Sequence, residues 1–285
     1  MRYAIIFTLT IMGFVADAQN LQNYTPSILF DKGAWEFKSF QNLYTQTKAF
    51  DGGSKVETGR GRESFFTSIN QFLYGVNGQI NIGADLWIKN VNLENGDFTS
   101  RTAITGFGPK VKVAPFAALP RFSIQSTALF SLADDLEGRA PDADKPFLFL
   151  EFDRSTLWLT QFFFDQPIGQ KWQFFFQQAF WYHFVRDSFR ENNFLQTQTS
   201  VFVNYFPNSR WTVYGMTEYF PTHYNDAEQT GEAFFSYFVQ AGLGLKYQLI
   251  PNFVELEALY TNFLNGSDGS GAGQTFNFGV RIVRQ

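Results

Sequence analysis

The sequence holds 285 residues with 22 Lys+Arg against 26 Asp+Glu, a net charge of -4, no cysteine and 19% aromatic residues, among them 37 Phe. Without cysteine there is no disulfide scaffold and no Cys-based metal or redox centre, and the acidic balance offers no footing for nucleic acid. A mean hydropathy of -0.18 argues against a bundle of membrane helices, so phenylalanine far above ordinary usage in a polar chain has to be explained another way.

The first segment, "MRYAIIFTLTIMGFVADAQN", has a cationic Arg2, an apolar run from Ala4 to Val15 and the small-x-small triplet Ala16-Asp17-Ala18. This layout predicts a secretory signal peptide over residues 1–18, too short to span a bilayer as a helix, with the exported chain being 19–285.

Twelve strands are expected in the exported chain, starting near residues 34, 63, 79, 101, 121, 154, 171, 193, 210, 234, 253 and 273. Their evidence is a period of two, apolar on one side and polar on the other. In 79–90, Ile80, Ile82, Ala84, Leu86 and Ile88 oppose Asn81, Gly83, Asp85 and Lys89. The fourth strand carries Pro109, which cannot donate to a ladder, and a bulge at Gly106 and Gly108 is expected to absorb it. In 121–132, Phe122, Ile124, Ala128 and Phe130 oppose Arg121, Ser123, Gln125 and Thr127.

The next stretch, "QFFFDQPIGQKWQFFFQQAFWYHF" (161–184), splits at "PIGQ" into two strands. On the second, Trp172, Phe174, Phe176, Phe180, Tyr182 and Phe184 share one side, against Gln173, Phe175, Gln177, Trp181 and His183. On the first, Leu157 and Leu159 leave the apolar side ambiguous against Trp158, Thr160, Phe162 and Phe164. Residues 194–205 alternate again. The clearest case is 234–249, where Phe235, Tyr237, Val239, Ala241, Leu243, Leu245 and Tyr247 put aromatics at both ends of an apolar face. The closing stretches set Val254, Leu256, Ala258 and Tyr260 against Glu255 and Glu257, and Phe276, Phe278, Val280 and Ile282 against Thr275, Asn277 and Arg281.

Connections alternate between tight ("VNGQ", "FAALPR", "PIGQ", "PNSR", "IPN") and long and polar ("FDGGSKVETGRG", "DDLEGRAPDADKP", "NDAEQTGEA", "NGSDGSGAGQ"). Such alternation with an even strand count predicts an all-β, antiparallel, up-and-down transmembrane barrel of about 12 strands. Short periplasmic turns and longer extracellular loops complete it. Closure removes the sheet edges that lipid cannot tolerate. Trp172, Phe174, Phe176, Phe180, Tyr182, Phe235, Tyr237, Tyr247, Phe276 and Phe278 are then the lipid-facing aromatics. A soluble β-sandwich is the competing architecture, but this many rings overfill a soluble core.

The signal peptide, the alternation and the stretch "GPKVKVAPF" (108–116) followed by "LPRFSIQSTALF" resemble Gram-negative outer-membrane β-barrels, specifically poorly characterised twelve-stranded transporter- or porin-like barrels. The resemblance implies the cell outer membrane as location, with outer-membrane lipid and small solutes as partners, and no nucleic acid. It transfers no catalytic residue.

Barrels of this size include a phospholipase and a lipid A deacylase, so lipid hydrolysis is weighed. His183 has no Ser two residues away, as a His-x-Ser pattern requires, and His223 is the only other histidine. The metal chemistry these residues could offer is an ion held by both histidines with Asp187 or Asp226, or calcium on Asp134, Asp135, Asp142 and Asp144. Neither set shows ligand spacing, so no metal, cofactor or catalytic residue is assigned.

The polar sides carry Glu36, Lys38, Asp85, Lys89, Lys110, Lys112, Arg121, Glu218, Lys246, Glu255, Glu257 and Arg281. Charges of both signs facing a lumen can filter solutes, and most of these lie near the tight turns, which predicts a charged collar at the periplasmic mouth. About eight strands leave an interior filled by side chains and about 16–18 an aqueous channel, so twelve lies between. The functional expectation is a narrow passive channel for small solutes, with the loop 134–146 over the outer mouth. The alternatives are a closed barrel that docks a partner and a lipid-modifying enzyme.

Overall fold

A computed structural model describes residues 27–95, 100–132, 155–186, 193–225 and 233–284. The segment 1–18, expected to be a signal peptide, the loop 134–146 and the residues Asp187, Ser188 and Asp226 lie outside the described residues.

The strands in chain order are β1 (Trp35–Gln46), β2 (Lys48–Asp51), β3 (Ser54–Glu57), β4 (Glu63–Asn77), β5 (Ile80–Leu93), β6 (Ser100–Val113), β7 (Phe122–Ser131), β8 (Ser155–Ile168), β9 (Trp172–Val185), β10 (Phe194–Tyr205), β11 (Trp211–Asn225), β12 (Ala233–Ile250), β13 (Val254–Gly266) and β14 (Gln274–Arg284). All but β2 and β3 close into one antiparallel barrel of twelve. Each of the twelve begins within one residue of its expected start. Sequence neighbours pair throughout the wall, and β1 closes on β14 in an unbroken register from Trp35↔Arg284 to Thr45↔Gln274. All five tight turns and both ends of the barrel wall gather at one rim, and the long links at the other. At the tightest turns the backbone enters the left-handed region, at Gly169 (φ 64°) and at Asn252 (φ 62°), residue types that tolerate it.

Alternation dictates two surfaces. Outward, the wall is apolar: Leu243 at mid-strand is 72% exposed, and Ile82, Phe107, Val111, Trp158, Phe276 and Phe278 are also exposed. All ten aromatics expected to face lipid stand on this side of their strands. Near the turn rim, Trp172 packs on Tyr205 (4.7 Å) and Trp211 on Tyr247 (4.4 Å), as in the aromatic girdles that mark a membrane interface. Inward, the wall is polar, with buried Asn81, Gln125, Gln173, Asn204, Gln240 and Asn277. An apolar outer band on a closed wall places the barrel across a membrane, because only closure satisfies every ladder group in lipid.

Several details of the wall differ from the expectation or add to it. The β6 bulge falls at Thr105: Trp87 pairs with Gly106 while Ile88 pairs with Ile104. Gly108 serves close approach instead, since a Cβ there would meet the Ala128 carbonyl at 1.7 Å. The β6–β7 register passes from Phe107↔Phe130 to Lys110↔Thr127, so the donor missing at Pro109 falls in that gap, while Pro109 still pairs with Ala84. Leu157 and Leu159 point inward and form an apolar cluster with Trp87, Leu129 and Ala179 that fills one side of the lumen.

The hairpin of β2 and β3 rises from the first long loop. Its Phe50 is 1% exposed, wedged against Phe263 and Ala272. Backbone bonds to Ser270 and Gly269 fasten the hairpin to the last loop. At the opposite rim, residues 27–34, which carry no strand pattern, fold into the turn-side mouth.

Candidate functional site: the lumen and its turn-side mouth

The inward side chains of β1, β4 and β8–β14 surround a cavity of about 390 Å³, and a smaller chamber of about 150 Å³ adjoins it toward the turn rim. Lys38, Gln71, Gln161, Gln177, Lys246, Glu255 and Glu257 line both, so the two spaces are immediate neighbours.

The charged residues singled out in the sequence stand on the inward side of their strands, apart from Arg121 in the turn before β7, but they do not form one ring. Around the small chamber, Arg281 of β14 pairs with Glu36 of β1, and Lys246 of β12 reaches Glu257 of β13 at 3.5 Å. Tyr214 donates to the same Glu257 at 2.5 Å, and Gln248 donates to Glu255 at 3.3 Å. Lys38 and Lys112 complete this chamber. Arg121 pairs at 3.2 Å with Asp165, a fully buried carboxylate that the sequence pattern did not single out. Gln173 donates to the same carboxylate oxygen at 2.9 Å.

Higher in the barrel the remaining charges are taken up singly. Asp85 and Lys110 form an ion pair with both side chains 1% exposed, and Gln71 donates to Asp85 at 3.2 Å. Lys89 is buried further toward the loop rim. Glu218 sits in a cage of donors, Gln198 (2.5 Å), Gln240 (2.7 Å) and Ser200 (3.0 Å). Buried charges are tolerated when paired or hydrogen-bonded, as Asp85, Lys110 and Glu218 are here.

The segment 27–34 is the main feature that sequence reasoning missed. Gly33 N–H donates to the Gly75 carbonyl and Gly75 N–H to the Ala34 carbonyl, which docks the chain on β4 just before β1 begins. Gly75 is required there, because a Cβ would lie 2.1 Å from the Asp31 carbonyl. Phe30 then enters an apolar socket with Ala34, Leu73 and Val283. Lys112 Nζ donates to the Ile28 carbonyl at 2.8 Å, and the Ser27 hydroxyl bonds Asp165. Ile28 and Phe30 thereby line the small chamber. The strap also lies beside a polar side chain it does not satisfy: Asn81, between Gly75 and Lys112 in the register, is 0% exposed with neither amide atom hydrogen-bonded among the described residues. The only sequence signal was the apolar triplet Ile28-Leu29-Phe30 ahead of Asp-Lys-Gly, outside any alternating pattern.

The two histidines face opposite ways, which removes a metal shared between them. His183 lies inside the wall with Ser155 at 3.0 Å from Nδ1 and Gln196 at 3.0 Å from Nε2, its ring stacked 4.1 Å from that of Phe194. His223 stands on the outer face beside Phe235. Ser155 is a partner that sequence spacing could not offer, since it comes from across the β8–β9 hairpin. Both Ser155 and His183 are 1% exposed and neither lines a cavity. Among the described residues no three metal-ligating side chains converge.

The sequence matches no family model and no curated protein. In structure the chain is similar to an outer membrane channel from Pseudomonas putida F1, with a TM-score of 0.67 and 11% identity over 91% of this chain and 98% of that one. It is also similar to the NanC porin, with a TM-score of 0.50 and 10% identity over 86% of this chain and 98% of that one. At such identities the likeness speaks for the fold, the twelve-stranded barrel of the Gram-negative outer membrane.

Proposed function

We propose that this outer-membrane barrel is a narrow passive channel for small polar solutes. The observation that carries the reading is the unfilled polar interior: a cavity of about 390 Å³ adjoins the chamber at the turn-side mouth, and seven side chains, all polar or charged, line both. A barrel with only a scaffolding role gains nothing from leaving that space unfilled, since packed apolar side chains would stabilise it better. Here one side is filled by the Trp87–Leu129–Leu157–Leu159–Ala179 cluster, which narrows the path and leaves it lined by β1, β4 and β8–β14.

Solutes descend past Glu218 and its donors to the collar of Glu36–Arg281 and Lys246–Glu257. The close alternation of signs there favours neutral or zwitterionic solutes over bare ions, because a like charge meets repulsion at every level. At the periplasmic mouth the strap 27–34 narrows the exit. The likeness to an outer membrane channel and to a porin accords with this reading.

Reconstitution into liposomes tests it. Liposomes loaded with the protein should swell in isotonic solutions of small polar solutes, faster for smaller ones. Swelling no faster than in protein-free liposomes for every solute would refute the channel.

A further inference from the structure

The inward face of β9 carries Gln173, Phe175, Gln177 and Trp181, amides and rings along one line of the lumen. Alternate residues of a strand stand about 6.6 Å apart, close to the size of one six-membered ring with its substituents. β10 answers with Gln198 and Phe202. Phe175 and Phe202 pack at 5.3 Å between centroids, and Trp181 donates its indole N–H to Gln198 at 3.3 Å. All six line the larger cavity. We propose that this amide-and-aromatic track is a binding site for neutral carbohydrate, one or a few sugar rings long.

A sugar ring is apolar on its faces and rich in hydroxyls at its rim, so it needs flat apolar surfaces flanked by groups that both donate and accept. Phe and Trp rings supply the first, and amides the second. Gln173 and Gln198 are held by bonds to Asp165 and Glu218, and a planar hydrocarbon would leave the Gln177 amide unpaired on binding, which costs affinity. An anionic ligand finds no excess of positive charge, since Lys38 and Lys246 are outnumbered in the larger cavity by Glu218, Glu255 and Glu257. Lys246 is moreover paired with Glu257, and Lys38 lies over the Phe40 ring at 5.6 Å. Gln177, which lines both chambers, has no hydrogen-bond partner among the described residues and is available to a passing hydroxyl.

This inference rests on the channel reading and narrows it, so the experiment must separate the two. The full-length protein is reconstituted in planar bilayers, and maltotriose, trigalacturonate and a polyethylene glycol of equal hydrodynamic size are added in turn. The expected result is a saturable interruption of the current by maltotriose, stronger than that by trigalacturonate and absent with the polymer. Trp181→Ala and Gln177→Ala should each weaken it about three- to tenfold, the loss of one ring contact or one hydrogen bond, read as the blocked fraction of each variant's own open-channel current. Heat-modifiable migration on a gel shows that each variant has folded. If Trp181→Ala does not fold, Gln177→Ala decides. Steady current that maltotriose does not interrupt, or interrupts no more than the polymer does, overturns the sugar site and leaves the channel standing. If no current flows at all, the channel reading fails. Calorimetric titration of the purified barrel with maltotriose then decides the site: a saturable heat lost in the Gln177→Ala variant upholds it, and no heat refutes it.

Discussion

Replacing Phe30 by alanine should loosen the mouth without unfolding the barrel. The Phe30 side chain is 6% exposed in its socket with Ala34, Leu73 and Val283, so its removal forfeits nearly a full burial. Full burial of such a side chain is worth about 1.5–3 kcal/mol, and an uncollapsed socket adds to the loss. The strap has few other anchors: two backbone bonds at Gly75, the Lys112–Ile28 bond and the Ser27–Asp165 bond. The loss therefore falls on the local opening of residues 27–34, not on the ladders of the wall. About 2–3 kcal/mol corresponds to a roughly 30- to 150-fold rise in the detached population.

The chain has no cysteine, so Ser27→Cys gives a single reporter, shielded in the closed strap by the fully buried position of residue 27. Maleimide labelling of that reporter should accelerate by one to two orders of magnitude when Phe30→Ala is added, and open-channel current should rise. A Phe30→Cys, Leu73→Cys cross-link in an otherwise unaltered chain should hold the current at or below its starting level. Labelling and current unchanged by Phe30→Ala would refute the strap as an independently opening element.

Three other outcomes rest on the same geometry. Lys110→Met should destabilise the barrel by about 3–5 kcal/mol in urea titrations with lipid vesicles, since it strands Asp85, whereas Asp85→Leu with Lys110→Met should recover most of the loss. An equal cost for the single and double variants would contradict the pairing. Leu243→Arg, at the middle of the outward face of β12, should cost about 2–4 kcal/mol in that titration. A neutral result would mean that this face does not meet hydrocarbon. Glu255→Gln with Glu257→Gln should move the reversal potential in a salt gradient toward anion selectivity, more at low salt than at high. An unmoved potential would place the collar outside the ion path.

The barrel was legible in the sequence because lipid and lumen impose opposite chemistries on adjacent residues. A period of two therefore survives along most strands, and tight turns reset it at fixed points. Where that rule is relaxed, legibility fails. Leu157 and Leu159 looked ambiguous because part of the lumen is apolar, so both faces of β8 are greasy. The bulge at Thr105 lies one and three residues before the two glycines, Gly106 and Gly108, that the Gly-Pro sequence pointed to. There, register with β5 rather than the proline decides the position.

The charged side chains could be assigned to a face one strand at a time, but their partners could not. Glu36 meets Arg281 only because β1 closes on β14, and Asp165 gathers Arg121, Gln173 and Ser27 from three other segments. Ser155 reaches His183 by the same cross-strand logic. The strap left the faintest trace, since a short segment with no period carries information only through the socket that receives it.

The central claim, that the lumen conducts, is tested most directly by planar-bilayer recording of the full-length protein in potassium chloride. Small, discrete current steps are predicted, with a further rise in step size in the Phe30→Ala variant. A folded, inserted barrel that passes no current at any voltage, with or without the strap anchored, would contradict it.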